Sequence, residues 1–358
     1  MTKVTATAFA TRYIVVEMAA AKKTFHKRLA PDYSQRLRRG FQLAFLALNL
    51  WIGVQFVLFV RYYESGGRGL RVARPAGVEG WLPIASLMNL KVWLATGEVP
   101  RVHPAGMFLL IAFLAISWLL RKNFCGWLCP VGTVSEYLWR LGRRTFRRNW
   151  RLPRWPDIAL RSLKYIMLGL FLYAVASMSV PAILAFLEGP YGVISDVKML
   201  DFFRFLSIAG AAVLALLLLL SIFVQNFWCR YLCPYGALMG LAALASPLRI
   251  RREAAVCIDC AKCARACPAL LPVDKLVSIR SAECTGCLEC VAVCPAEGAL
   301  RMSAPRRARV PAWMIAAAAA MLFLGICGYA RWAGYWHTDL PERVYFDLVP
   351  HAPEFTHP

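Results

Sequence analysis

Eight cysteines fall in a fixed beat: Cys257-x2-Cys260-x2-Cys263-x3-Cys267-Pro268, then Cys284-x2-Cys287-x2-Cys290-x3-Cys294-Pro295. No other feature limits the folding of this chain as strongly. The x2-x2-x3 spacing is that of iron–sulfur ligation rather than of a disulfide scaffold. A [4Fe–4S] cube has four corner irons and takes four thiolates. One tight loop can deliver three, so the fourth must come from elsewhere in the chain. In the doubled pattern the fourth cysteine of each run ligates the other cluster. Cys257, Cys260, Cys263 and Cys294 are therefore expected to hold one cluster, and Cys284, Cys287, Cys290 and Cys267 a second. Two clusters side by side form a relay for single electrons, and their thiolates require a reducing compartment.

The rest of the chain is too apolar for an ordinary soluble protein. Of 358 residues, 59% are hydrophobic, and the mean hydropathy is +0.51. That points to a multi-span membrane protein. Five segments are apolar enough to cross a bilayer: 41–60, 104–121, 163–186, 205–226 and 310–330. A shorter stretch, 81–95, contains Lys91 and reads as interfacial or re-entrant. The net charge of +22 would suggest nucleic acid in a soluble protein, but here the cations flank the spans. Lys22, Lys23, Lys27, Arg28, Arg36, Arg38 and Arg39 precede the first span. Arg140, Arg143, Arg144, Arg147, Arg148, Arg151, Arg154, Arg161 and Lys164 lie around the loop between the second and third. Positive loops stay in the cytoplasm, so the N-terminus and the cysteine-rich segment are expected there, and the tail 331–358 on the periplasmic side. The loop 61–103 runs against the rule with six basic residues, but long loops obey it poorly. Arg38-Arg39 before an apolar run resembles a twin-arginine signal; a positive flank of a retained anchor is the simpler account.

Four further cysteines form a repeat. The second span ends in Cys125-Gly-Trp-Leu-Cys129-Pro-Val-Gly132, and the fourth in Cys229-Arg-Tyr-Leu-Cys233-Pro-Tyr-Gly236. Both copies follow a span running in the same direction, which suggests a parallel duplication of a two-span unit. If these stretches are helical, cysteines at i and i+4 share one face. Two facing pairs would offer four thiolates, a ligand set for an iron–sulfur cluster or a structural zinc. Three readings stay open at this stage: a third metal or cluster site, a redox-active thiol pair, or helix-end packing.

Other candidates are weaker. Cys327, alone in the last span, reads as a small buried hydrophobe. His26, His103, His337, His351 and His357 do not lie inside facing spans, so intramembrane haem is not expected. Glu64, Glu79, Glu188, Asp196 and Asp201, with Tyr191, fall in the outer loops. A quinol site needs such proton acceptors, though solvated loop carboxylates are the commoner case. Glu136 should pair with the arginines near it. Trp51, Trp81, Trp93, Trp118, Trp150, Trp155, Trp332 and Trp336 stand near span ends as an aromatic belt. No Gly-rich nucleotide loop is present, so direct hydride uptake from a dinucleotide is not expected.

Paired Cys-x3-Cys-Pro motifs at span ends followed by a two-cluster ferredoxin segment resemble the membrane polyferredoxins of the NapH, NosR and CcoG type. The resemblance covers nearly the whole chain. It implies a bacterial inner-membrane electron carrier between cytoplasmic [4Fe–4S] clusters and the quinone pool or a periplasmic reductase. The large periplasmic flavin-binding domain of the NosR type and the extra C-terminal domain of the CcoG type have no counterpart, so flavin transfer and copper reduction do not carry over. The expected architecture is an α-helical polytopic membrane protein with an inserted α+β two-cluster ferredoxin domain. Its parts are a basic tail 1–40, a four-span domain 41–248, the ferredoxin domain 249–303, and a fifth span with its tail 304–358. Expected partners are the bilayer, quinone and protein redox partners, with no nucleic acid. Two rival classes remain: a metal-ion or quinone reductase acting through Cys125, Cys129, Cys229 and Cys233, and a redox-sensing assembly factor.

Overall fold

Apolar runs with no water to bond to must satisfy their backbone internally, and helices do so. The computed structural model describes residues 26–357 and is built mainly of helices. Lys22, Lys23 and most of the basic tail lie outside the described residues. The membrane half runs α1 (Ser34–Glu64), α2 (Pro83–Thr96), α3 (Pro104–Leu119), α4 (Pro130–Phe146), α5 (Arg154–Ser177), α6 (Val180–Glu188), α7 (Pro190–Val193), α8 (Ser195–Arg204), α9 (Ile208–Phe223) and α10 (Pro234–Leu244). The cysteine-rich segment follows with β1 (Arg249–Arg252), α11 (Lys262–Ala266), α12 (Glu289–Ala292) and β2 (Leu300–Ser303). The chain then continues into α13 (Ala312–Trp332) and α14 (Glu342–Leu348). The two strands pair antiparallel, Arg249 opposite Ser303 and Arg252 opposite Leu300.

Among the described residues, three helices, α1, α5 and α13, are long and apolar enough to cross a membrane. Helices α3 and α9 occupy the expected second and fourth spans with 16 residues each. At 1.5 Å per residue they reach about 24 Å, short of a hydrocarbon core of about 30 Å. The two shorter helices differ in setting. Helix α3 is enclosed by the other helices, with Leu110, Ala112 and Ile116 fully buried. Helix α9 buries only Ser221 and turns Ile208, Val213, Leu216, Leu218 and Leu219 outward. Helices α8 and α9 meet at 84°, so they do not merge into one straight span.

Two expectations change in detail. The third span does not continue to 186. Helix α5 ends at Ser177, and Ser179 caps a new helix whose second residue is Pro181. Proline lacks the N–H that would join it to the preceding turn. Residues 81–95, expected as an interfacial or re-entrant piece, are largely helical. Most of them form α2, which packs against α3, and Lys91 donates to the carbonyls of Val175, Ala176 and Met178 at the end of α5. A cation there satisfies the free carbonyls of a helix C-terminus.

The cysteine-rich segment shares one hydrophobic core with the membrane half. Leu110, Ile116, Trp127 and Met239 join Ile250, Val273, Ile279 and Met302 in a single cluster. Each such buried side chain contributes about 1.5–3 kcal/mol, so the segment is seated rather than merely tethered. The chain just before α1 pairs with it as well: Arg28 N–H donates to Pro295 O, and Glu297 N–H to His26 O. Arg38, half of the twin-arginine-like pair, is fully buried, whereas Arg39 is exposed. Arg38 is thus a structural anchor and not a free flank.

Candidate iron–sulfur sites and the cavity that joins them

The two Cys-x3-Cys-Pro motifs fold alike. Each first cysteine lies in a single π-turn, Phe124–Leu128 or Trp228–Leu232. The Cys129 N–H donates to Phe124 O at 2.9 Å, and the Cys233 N–H to Trp228 O at 3.0 Å. Each second cysteine is extended and caps the next helix, α4 or α10. The cysteine pairs therefore do not share the face of one continuous helix. Pro130 and Pro234 push the residue before them out of the helical region, and the chain turns there. The N–H groups of Gly132 and Gly236 reach back to the sulfurs of Cys129 and Cys233, at 3.5 and 3.2 Å. Hydrogen bonds to ligand sulfur are one means of setting a cluster's potential.

These turns bring the four span-end cysteines together. Cys125, Cys129, Cys229 and Cys233 line one cavity of about 90 Å³. The thiol of Cys229 lies within electrostatic reach of the other three. The opposite wall of this cavity belongs to the cysteine-rich segment, through Pro268, Thr285 and Cys287.

In that segment the spacing resolves into two pockets. Cys257, Cys260, Cys263 and Cys294 line one, and Cys267, Cys284, Cys287 and Cys290 line the other. Each set holds three cysteines from one run and the last of the other run. Burial pushes the Cys267 thiol up to about 11. It pushes Cys287 up to about 12 against the opposing charge of Arg38, and Cys290 well above its ordinary value. Bare thiols here stay protonated at neutral pH, and cationic iron must displace those protons. Among the described residues, no three His, Cys, Asp or Glu side chains converge tightly enough for a single ion. A cube spreads its thiolates wider than a tetrahedral zinc does, so these sets fit iron–sulfur clusters better than zinc.

Buried charges lock the two halves around the cavity. Arg38 forks onto both Glu136 oxygens at 2.7 Å and also reaches Glu289 at 2.7 Å. Arg140 joins the same two carboxylates, and Gln35 donates to Cys287 O at 2.9 Å. Glu136 does pair with nearby arginines, but its main partner comes from a distant helix. Arg121, fully buried, donates to Ala243 O, Ile279 O and Ser281 O. Lys164 bonds both Glu283 oxygens at 2.7 and 2.8 Å. Burial pushes Glu136 and Glu283 upward, but arginine or lysine charges hold both below the usual carboxylate range. Close docking has steric conditions too. A Cβ on Gly286, which sits at φ +62°, would meet Arg121 O at 2.9 Å.

The opposite end holds a second buried network. Arg74 bonds Glu79 at 2.6 Å, Asp196 at 2.7 Å, and His103 Nδ1 at 2.9 Å. His103 Nε2 faces Gly192 O and Ser195 Oγ, and Thr338 Oγ1 donates to Glu79. Glu79, Asp196 and His103 are at most 1% exposed. The solvated-loop reading of Glu79 and Asp196 is corrected: Arg74, which sequence patterning did not single out, draws them inward together with His103. Glu188 is exposed as expected, and Glu64 and Asp201 pair with Arg204. The rings of Tyr191 and His357 meet edge to face, 5.0 Å between centroids. His26, His337, His351 and His357 are exposed, and Cys327 is buried among apolar side chains.

Comparison with known proteins agrees with this geometry. A family described as 4Fe-4S binding domain matches twice, over residues 102–149 and 206–253, once on each Cys-x3-Cys-Pro unit. A family described as 4Fe-4S dicluster domain matches residues 249–295. YccM of Escherichia coli (strain K12), a protein named for electron transport, is 48% identical over 326 residues, covering 89% of this chain and 91% of its own. The regulatory protein NosR of Pseudomonas aeruginosa is 33% identical over 165 residues, covering 45% of this chain and 22% of its own. The ferredoxin-type protein NapH of Haemophilus influenzae is 25% identical over 191 residues, covering 52% of this chain and 61% of its own. No solved structure matches. With its iron–sulfur domains, its membrane helices and a relative matched almost end to end, the chain belongs to the membrane polyferredoxin family that includes YccM, NosR and NapH.

Proposed function

We propose that this protein passes single electrons between the cytoplasmic side of the inner membrane and the quinone pool or a periplasmic reductase. Two [4Fe–4S] clusters in residues 249–303 receive or deliver them. Cys257, Cys260, Cys263 and Cys294 hold one cluster; Cys284, Cys287, Cys290 and Cys267 hold the other. Cys125, Cys129, Cys229 and Cys233 hold a third. When bound, each cluster supplies a one-electron redox couple.

One observation carries this reading. Cys287, on the second pocket, and all four span-end cysteines face the same small cavity. A route from the cysteine-rich segment into the membrane half thus runs through neighbouring sites. The positive-inside charge bias supports a cytoplasmic position for this end and an outer one for the tail 331–358, with α3 and α9 read as short spans beside the three long helices.

Anaerobic iron and acid-labile sulfide counts test the third site. The wild type should carry about twelve irons, and a variant with Cys125, Cys129, Cys229 and Cys233 all changed to alanine about eight. Equal counts would remove the third cluster from the scheme. Absence of any [4Fe–4S] electron paramagnetic resonance signal on reduction would overturn electron transfer itself.

A further inference from the structure

Helices α4, α11 and α12 bound an open cleft of about 550 Å³. Its walls carry Arg140, Arg143, Arg144, Lys262 and Arg265 against one carboxylate, Glu289. Arg140 is engaged by Glu136 and Glu289, and Arg265 gives one N–H to Cys260 O. Arg143, Arg144 and Lys262 are exposed and make no salt bridge among the described residues. Like charges facing one another across a concave surface repel, more so where protein displaces solvent. A merely solvated basic face has no reason to be arranged in this way. Ala266 and Val293 contribute a small apolar floor.

The position of the cleft matters as much as its charge. Helices α11 and α12 carry Cys263 and Cys290, and Cys267 and Cys294 follow just beyond their ends. The floor is therefore built from the two helices nearest both cysteine pockets. We infer that this cleft is the docking surface for a soluble one-electron carrier protein with an acidic face. This role rests on the electron-transfer reading above. One electron leaves the docked reduced carrier and one cluster gains it; no bond is made or broken. A lipid headgroup fits less well, because the cations of the cleft stand on α11 as well as α4 and outnumber what one headgroup can pair. Of the cleft arginines on α4, Arg143 lies farthest around the helix from the exposed apolar residues Val134, Tyr137 and Leu141, and Arg144 borders them.

The test uses the full chain in nanodiscs of zwitterionic lipid, with fluorescently labelled flavodoxin as an acidic carrier probe. Wild-type affinity should fall at least about tenfold between roughly 20 and 200 mM salt. An Arg143→Glu/Arg144→Glu/Lys262→Glu variant should bind at least about tenfold more weakly, and the corresponding Gln variant should fall between them. Stopped-flow reduction by the same carrier should slow in parallel. Reduction by photoreduced deazaflavin, which needs no docking, should proceed as in the wild type, with unchanged iron content. Equal affinity and salt dependence in wild type and variants would overturn the docking surface. So would a variant that keeps flavodoxin affinity and loses only its binding to vesicles containing anionic lipid. Failure of deazaflavin to reduce the wild type would instead sink the electron-transfer reading, and the binding measurement separates the two failures.

Discussion

Glu79 keeps its charge in a fully buried site because Arg74, Thr338 and His103 surround it. Burial pushes this carboxyl up, but Arg74 and His103 outweigh burial and lower it to about 2 from an ordinary 4.5. A folded value below the unfolded one stabilises the protein above the unfolded value, and that contribution is lost as pH falls toward the folded one. Thermal unfolding followed by circular dichroism should therefore show wild-type stability falling between about pH 4.5 and 2. Glu79→Gln should be less stable at neutral pH, toward the lower end of about 3–5 kcal/mol since Asp196 still holds Arg74, and should show a shallower acid limb. An equal acid limb in both proteins would contradict this account. Arg38 and Arg39 make the same point at the other end. They are indistinguishable as neighbours in a basic flank, yet one is buried on two carboxylates and the other is exposed. Arg38→Gln should cost several kcal/mol, whereas Arg39→Gln should stay within about 0.5 kcal/mol.

The two Cys-x3-Cys-Pro turns show how far a motif specifies an element. Their shared pattern was legible, and so was their duplication, because proline and cysteine spacing act locally. The π-turn was not legible, since helical periodicity cannot distinguish one turn with an extra residue. Nor was the unequal tightness of the two copies. A Cβ on Gly132 would stand 2.5 Å from Cys125 O, which is backbone. On Gly236 the nearest atom is the Cys233 sulfur at 3.5 Å, an ordinary contact. Gly132→Ala should therefore shift the first turn and lower iron loading and melting temperature, while Gly236→Ala should be close to neutral in both. Matching losses in the two variants would mean that both glycines serve a common purpose which this packing does not show.

At the scale of the molecule, the cysteine-rich segment and the membrane half behave as one body with a shared core and buried ionic ties. Lys164 and Glu283 link α5 to the loop before Cys284. A double-mutant cycle on Lys164→Met and Glu283→Gln should give a coupling energy of about 1–3 kcal/mol by thermal unfolding of the full chain. A coupling near zero would mean that apolar packing alone seats the segment. The outline of five apolar helices was readable from hydropathy. Their true lengths were not: Pro181 opens a new helix inside the run 163–186, and α9 begins only at Ile208 after the bend from α8.

The sequence by itself determined the chemistry: cysteine spacing is local, a thiolate beat has few uses, and apolar runs must be helical where water is absent. The tertiary structure alone decided which charges are buried, that the four span-end cysteines line one cavity, and that this cavity joins the two halves. Those outcomes depend on contacts through space, such as Arg38 with Glu289 across 251 positions, and no local pattern encodes them.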